Sequence, residues 1–316
     1  MPVVVRPQAE PLFDSRLAAT CRVVQFPMKM PDSLVRAPVL LAGAHGMLGR
    51  AWEALLRRRG IEVVPVDRDT VDLTRPSEME QLVEHRFKLV INCAAWTDVD
   101  GAEGHEEEAM RINAHAVEHM ARQCARIDAT LVHYSTDYVF DGRADRPYPT
   151  SHERTPINAY GRSKALGEQL LEASRCRSLL IRASWLYAPW GRNFVRTMVK
   201  LLRHRDSVRV VHDQRGRPTS AEHLAQSSLA LLEKRATGTW HITDGGDCTW
   251  HEFASRIAEL ISSPCSVLPC TSAAHPLPAA RPPYGVLDLS DTERLLEPMP
   301  PWQDNLVDVV HRLEDE

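Results

Sequence analysis

The chain has 316 residues, 43% of them apolar and 25% charged, the balance of an ordinary soluble globular protein large enough for one big domain or two modest ones. Lys and Arg number 38 against 42 Asp and Glu, and the net charge of −4 excludes a general nucleic-acid binder, which needs a basic field to neutralise phosphates. No apolar stretch approaches the roughly 20 residues of a membrane span. The seven cysteines are odd in number, scattered and without a C-x-x-C pair, so reduced thiols in a cytoplasmic protein are expected, and zinc-ligand spacing is lacking.

Residues 1–36 carry Pro2, Pro7, Pro11, Pro27 and Pro31 and develop no periodic apolar face, which reads as a flexible N-terminal extension, with a true start at Met28 or Met30 as the alternative. Order is expected to begin at Val39. Val39 to Ala42 is a short apolar run followed at once by Gly43, Gly46 and Gly49, and then Trp52, Leu55 and Leu56 recur at helical spacing. Strand, glycine turn and helix is the context in which a backbone approaches a pyrophosphate and a helix N-terminus offers it free N–H groups. A tight turn needs glycine for steric reasons as well, so the motif alone is weak.

The alternation continues. Ile61 to Val66 reads as a second strand ending at Asp67, about 20 residues past the last glycine, where a carboxylate would meet a ribose hydroxyl or simply sit in a surface loop. A helix from about Pro76 to His85, a third strand Leu89 to Asn92, a long helix from about Glu106 to Arg126 and a fourth strand Thr130 to Tyr134 follow. Another helix, about Asn158 to Ala173, leads to a fifth strand, Ser178 to Arg182. This order predicts an α/β fold, a Rossmann-like doubly wound parallel sheet. The dinucleotide-binding domain is expected over 37–187 with returning segments near 207–243, and a smaller substrate-binding lobe over 188–206 and 244–316.

Tyr160 and Lys164 lie four residues apart on one face of their helix, which suits a phenol that donates a proton beside an ammonium that lowers its pKa. Chance gives about 0.1 such pair in a chain of this composition, so the neighbourhood must decide. Ser135 and Thr136 close the fourth strand at its carboxyl end, where open α/β sheets place ligands, and the Thr136 hydroxyl beside the phenol would make a two-donor site for a carbonyl oxygen.

With these residues in view, the chain resembles the extended short-chain dehydrogenase/reductases and, within them, the dTDP-4-dehydrorhamnose reductases. The resemblance spans most of residues 39–310. It rests on Gly43-Ala44-His45-Gly46-Met47-Leu48-Gly49, on residues 92–103, 135–142 and 158–168, on Ser184-Trp185-Leu186-Tyr187, on residues 193–198 and 213–219 and on Arg281-Pro282. It implies reduction of the C4 keto group of dTDP-4-dehydro-L-rhamnose by NADPH, with NADH also accepted. Reduction of another dTDP-4-keto-deoxysugar is one alternative. A non-catalytic NADP-binding regulatory subunit, like the methionine adenosyltransferase β subunit, is another.

In the family pattern the cofactor meets Gly43, His45, Gly46, Met47, Leu48 and Gly49 at the turn. It also meets Asp67, Arg68, Ala94 and Ala95, and Lys164 at the nicotinamide ribose beside Tyr160. The resemblance implies that Tyr160 donates the proton, Lys164 lowers its pKa and Thr136 orients the carbonyl. Asp137, Tyr138 and Trp185 then shape the sugar pocket, Arg281 meets the nucleotide diphosphate, and Asn113 holds a water near the lysine. Two departures stand out: Pro283-Tyr284-Gly285 intervenes after Arg281-Pro282, and Arg50 and Ala51 stand where some members carry a metal-binding acidic residue, so no metal is carried over. The expected partner is the dTDP-4-keto-6-deoxyhexose; a homodimer stays open, and neither nucleic acid nor membrane is expected.

Overall fold

The computed structural model describes residues 37–82 and 87–314, so the extension over 1–36, Cys21 and His85 lie outside the described residues. At its centre is a six-stranded parallel sheet of β1 (Val39–Ala42), β2 (Val63–Val66), β3 (Leu89–Asn92), β4 (Thr130–Thr136), β5 (Ser178–Ala183) and, from much later in the chain, β10 (Gly238–His241). Their order across the sheet is β10-β5-β4-β3-β1-β2. The direction of winding reverses between β1 and β3, which opens a crevice at the carboxyl ends of these two strands.

Period-two alternation decides which side chains meet which helices. Leu41, Ile91, Val132 and Ile181 pack on one face against Trp52 and Leu56 of α1 (Met47–Arg58) and Leu224 and Leu231 of α8 (Ala221–Glu233). Leu40, Val90, Leu131 and Leu180 point to the other face, against Val117, Met120 and Cys124. Each such aliphatic side chain, taken fully out of water, stabilises the fold by about 1.5–3 kcal/mol. The sheet is apolar on both faces because helices cover both.

Several element boundaries differ from the sequence reading. Only the last four residues of the expected second strand lie alongside β1, while Glu62 accepts the Val39 N–H at 2.8 Å and Ile61 turns under α1. Helix α2 begins at Pro76 and is described to Leu82. A short α3 (Val99–Gly104) follows β3. The long helix is three pieces: α4 (Glu106–Met110), a π-helical turn over Arg111–His115 and α5 (Ala116–Arg126). Helix α6 (Ala159–Ala173) starts at the Asn158 cap, whose Oδ1 accepts from the Gly161 N–H at 2.7 Å. Of the returning stretch 207–243, α8 and β10 lie on the central sheet, whereas β7 (Ser207–Val211) pairs in parallel with β12 (Ser266–Cys270) away from it.

The remaining elements form a second apolar cluster. Helices α7 (Phe194–His204), α9 (Trp250–Leu260) and α11 (Trp302–Glu314) pack around Phe253 with the β7–β12 pair. Two small ladders join this lobe to the sheet: β6 (Leu186–Tyr187) runs parallel with β9 (Thr219–Ser220), and β8 (Arg215–Gly216) runs antiparallel to β11 (Cys248–Thr249). Helix α10 (Ser290–Leu295) lies between them in sequence and α11. Among the described residues no helix is long and apolar enough to cross a membrane.

Candidate active site

The glycine turn sits at the crevice. Gly43 has φ +72°, and a Cβ there would come within 2.5 Å of the Ala94 backbone nitrogen, so the loops leaving β1 and β3 touch. A Cβ on Gly49 would lie 2.1 Å from the Gly43 carbonyl oxygen. Helix α1 therefore begins tight against the turn, and its N-cap, Gly46, offers no side chain to the first N–H groups. An uncapped helix start at a turn whose Gly43 and Gly49 tolerate no Cβ is the cradle a pyrophosphate needs.

At the edge of that cradle, Asp67 accepts the His45 N–H at 2.9 Å and the Arg68 N–H at 2.8 Å. Arg68 itself is exposed, and its guanidinium has no ion-pair partner among the described residues. Arg50, the other cation near the turn, lies over the Trp190 ring at 4.9 Å, and Arg312 of α11 lies over the same ring at 5.2 Å. Trp190 in turn donates from Nε1 to the Met47 carbonyl at 3.1 Å. Leu48 is buried, and Ala94 and Ala95 are half-buried at the end of β3.

Next to the cradle, the carboxyl end of β4 meets the start of α6. Thr136 Oγ1 donates to Asp137 Oδ1 at 3.0 Å and accepts the Tyr138 N–H at 3.1 Å, and its hydroxyl is close enough to the Tyr160 phenol to pull that group's pKa down. The rings of Tyr138 and Tyr160 meet edge to face, their centroids 5.9 Å apart. Burial pushes the Asp137 carboxyl up to about 7, against the pull of the Thr136 hydroxyl and backbone N–H groups.

The expectation that Lys164 holds the Tyr160 pKa down is not met. Burial, with the charge of Asp137 adding to it, pushes the phenol above its ordinary value, and only the Thr136 hydroxyl pulls the other way. Lys164 is 2% exposed, and Nζ donates to the Tyr134 carbonyl at 2.6 Å. Its burial depresses the ammonium to about 8, with the Glu168 charge opposing. Nor does Asn113 turn towards the lysine. Its Nδ2 donates to the Trp96 carbonyl (3.1 Å) and to Ser163 Oγ (2.9 Å), and its Oδ1 accepts the Trp96 N–H (2.9 Å). The wide π-helical turn faces the amide that way and presses the Asn113 carbonyl against α6 at Gly167, where a Cβ would lie 2.1 Å from it.

The remaining predicted residues close the cleft from the lobe side. Trp185 adopts φ +48° and stacks on Trp250, with ring centroids 3.6 Å apart. Arg281 is bidentate on Asp100 (Nη1–Oδ1 2.5 Å, Nη2–Oδ2 2.8 Å) and donates to the Ala279 carbonyl at 2.7 Å, with Tyr138 near enough to influence its pKa. It thus lies beside the site, but its fork is already filled by a carboxylate. Gly285 of the unusual Pro283-Tyr284-Gly285 segment passes so close to Asp137 that a Cβ there would lie 2.4 Å from Oδ2.

Sequence reasoning missed Asp100, Trp250, Glu168 and the pair Asn92–His133. Asp100, Asn92 and Glu168 stand in segments that carry the resemblance, but nothing local gives away their distant partners. Among the described residues no group of three or more His, Cys, Asp or Glu side chains is placed to hold a metal ion.

Comparison with known proteins fits this arrangement. Residues 37–315 match the model of the RmlD substrate binding domain family. The chain belongs to that family. A curated relative, the dTDP-4-dehydrorhamnose reductase of Streptomyces griseus, is 40% identical over 273 residues, which is 84% of this chain and 90% of the relative. The dTDP-4-keto-6-deoxy-D-glucose reductase of Streptomyces niveus is 41% identical over 251 residues, 78% of this chain and 87% of its own. Among solved structures, a dTDP-4-dehydrorhamnose reductase from Clostridium acetobutylicum superimposes with a TM-score of 0.85 at 36% identity, covering 88% of this chain and 99% of that one. One from Bacillus anthracis in complex with NADP gives a TM-score of 0.83 at 35% identity, with the same coverage.

Proposed function

We propose that the protein is an NADPH-dependent oxidoreductase that reduces the C4 keto group of dTDP-4-dehydro-L-rhamnose to dTDP-L-rhamnose. The observation that carries this reading is the meeting, at one crevice, of the uncapped glycine turn with Thr136, Tyr160 and Lys164. The fit of the cofactor rests on the turn: among the described residues no side chain lies within 4 Å of where a Cβ on Gly46 would stand, and the first N–H groups of α1 have no side-chain cap. Gly43, Gly46 and Gly49 would hold the pyrophosphate, Ala94 and Ala95 would flank it, and Lys164 would hold the nicotinamide ribose. When bound, NADPH supplies the hydride.

The chain's own residues deal with the carbonyl oxygen. Thr136 Oγ1 and Tyr160 Oη offer it two adjacent hydroxyls, and Tyr160 gives up its proton as the oxygen gains charge. A phenol whose pKa is raised by burial and by Asp137 keeps its proton until that charge develops. Lys164 keeps a positive charge nearby below about pH 8. Trp185 with Trp250 behind it, Tyr138 and Asp137 would shape the sugar pocket. The lobe over 188–206 and 244–316 would supply most of the substrate surface, and a diphosphate would reach Arg281 by competing with Asp100.

Arg68, exposed and unpaired among the described residues, supports a preference for NADPH, because a 2′-phosphate beside Asp67 needs a cation. NADH would still be used, because an exposed cation–phosphate pair is worth roughly 1 kcal/mol or less. The name of the Streptomyces niveus relative favours, as a second reading, a different 4-keto-deoxysugar. Incubation with dTDP-4-dehydro-L-rhamnose and NADPH, followed by cofactor absorbance and product NMR, tests both. Formation of dTDP-L-rhamnose is expected. A C4 epimer would move the assignment to the second reading, and no cofactor consumption with any dTDP-4-keto sugar would refute the enzyme.

A further inference from the structure

Behind Lys164, the side chains of Asn92 and His133 form a hydrogen-bonded chain whose roles can be assigned from one end. The Ala94 N–H is a donor, and it points at Asn92 Oδ1 at 3.0 Å. That fixes the amide, so Nδ2 is the atom that meets His133 Nδ1, at 3.1 Å. A ring nitrogen that accepts carries no proton, and the neutral ring must then carry it on Nε2. Nε2 lies 3.4 Å from Lys164 Nζ. His133 is fully buried, and burial, then the nearby lysine charge, keeps it neutral well past its ordinary range. An imidazole N–H therefore faces an ammonium, with no acceptor between them.

The charges around Nζ are few. Glu168, on the same helix, favours the ammonium but is itself held by Arg182 of β5 and by Arg154. Tyr134 of β4, Cys93 beyond β3 and Tyr160 one turn back on α6 are all pushed up by burial and stay uncharged, and Asp137 faces Tyr160.

We propose that His133 is a positioning residue for Lys164: locked by Asn92 with its proton on Nε2, it denies the ammonium a second acceptor in the protein. The Tyr134 carbonyl then takes one of the three ammonium protons, and two stay available to a bound ligand. The consequence for catalysis rests on the assignment of Lys164 to the nicotinamide ribose made above, whereas the tautomer itself needs neither cofactor nor turnover.

Two measurements test the proposal. In ¹⁵N-histidine-labelled full-length protein without ligand, long-range ¹H–¹⁵N correlation reads the two ring nitrogens separately, and the signal lost in His133→Phe identifies the residue. A proton on Nε2 alone is expected; an Nδ1–H ring or an imidazolium overturns the inference. Asn92→Asp then switches the donor logic, because a carboxylate accepts from both the Ala94 N–H and Nδ1–H. Nε2 becomes an acceptor for Lys164, and NADPH binding, followed by fluorescence titration, should weaken about tenfold, as for a diverted hydrogen bond to a charged group. In His133→Phe, which removes both ring nitrogens and adds no acceptor, NADPH affinity should stay within about twofold of the parent. A switched tautomer with unchanged affinity in Asn92→Asp, or an equal loss in His133→Phe, would refute the positioning role even where the proposed reaction stands.

Discussion

Glu168 gives the sharpest energetic test of the site's foundation. Its carboxylate is fully buried and accepts from Arg182 Nε (2.9 Å) and Nη2 (2.6 Å) and from Arg154 Nη1 (3.1 Å). Arg182 is 2% exposed, and among the described residues its guanidinium has, beyond Glu168, only the Thr150 carbonyl at 2.9 Å, His241 Nε2 at 3.4 Å and the Phe140 ring. Glu168→Ala therefore strands a buried cation, a change that costs about 3–5 kcal/mol. In a chain of this length that corresponds to a fall in Tm of roughly 5–8 °C. Glu172→Ala is the control, because Glu172 pairs with the same Arg154 but is 48% exposed, and it should cost less than about 1 kcal/mol. Glu168→Leu combined with Arg182→Met removes both charges and should recover most of the loss.

The pH dependence follows from the same contacts. Burial alone would raise the Glu168 carboxyl, but the Arg182 hydrogen bonds and charge outweigh it and hold the group below the ordinary carboxylate range. Its contribution is thus present above the unfolded-state pKa and lost as pH falls through the lower folded-state value. Urea unfolding followed by circular dichroism, at neutral pH and again near pH 3, measures all of this. Equal losses for Glu168→Ala and Glu172→Ala would show that burial does not set the energetics here.

Four further outcomes are expected. Tyr160→Phe should lower kcat by about 10²- to 10⁴-fold and leave NADPH affinity nearly unchanged, as steady-state kinetics and titration would show. Because burial depresses Lys164 to about 8, the ammonium is present below that pH and lost above it, so kcat/KM should decline on the alkaline side from about pH 8; a flat profile to pH 10 would contradict the assignment. Arg68→Ala should shrink the ratio of NADPH to NADH efficiency, most visibly at low salt, and an unaltered ratio would leave Asp67 in control of the adenosine end. Gly49→Ala puts a methyl group 2.1 Å from the Gly43 carbonyl oxygen, a backbone atom that cannot yield, and NADPH affinity should fall at least tenfold by titration.

What the sequence made legible was local. β1 and the glycine turn could be read because the apolar run and its three glycines lie within eleven residues of one another, Val39 to Gly49. Tyr160 and Lys164 could be paired because four residues make one helical turn. The contacts that escaped join residues far apart: Arg281 with Asp100 across 181 positions, and Lys164 with His133 across 31. β7 escaped for a similar reason: its alternating pattern suits any sheet, and only its register with β12 assigns it to the lobe. The π-helical turn left no sign in the apolar periodicity, because one wide turn inside a long helix barely alters it. The raised pKa of Tyr160 depends on how deeply the cleft is closed, which spacing along the chain does not encode.

The approach of Arg50 and Arg312 to the same Trp190 ring has a consequence for the order in which the molecule is made. Arg50 belongs to the first turns of the first described helix and Arg312 to the last described one, and the indole that both approach also donates to the carbonyl of Met47 at the glycine turn. Because a chain grows from its N-terminus, the cofactor cradle emerges from the ribosome long before the helix that braces it. Nascent chains arrested before Trp302 should therefore expose the turn to protease, and completed ones should protect it.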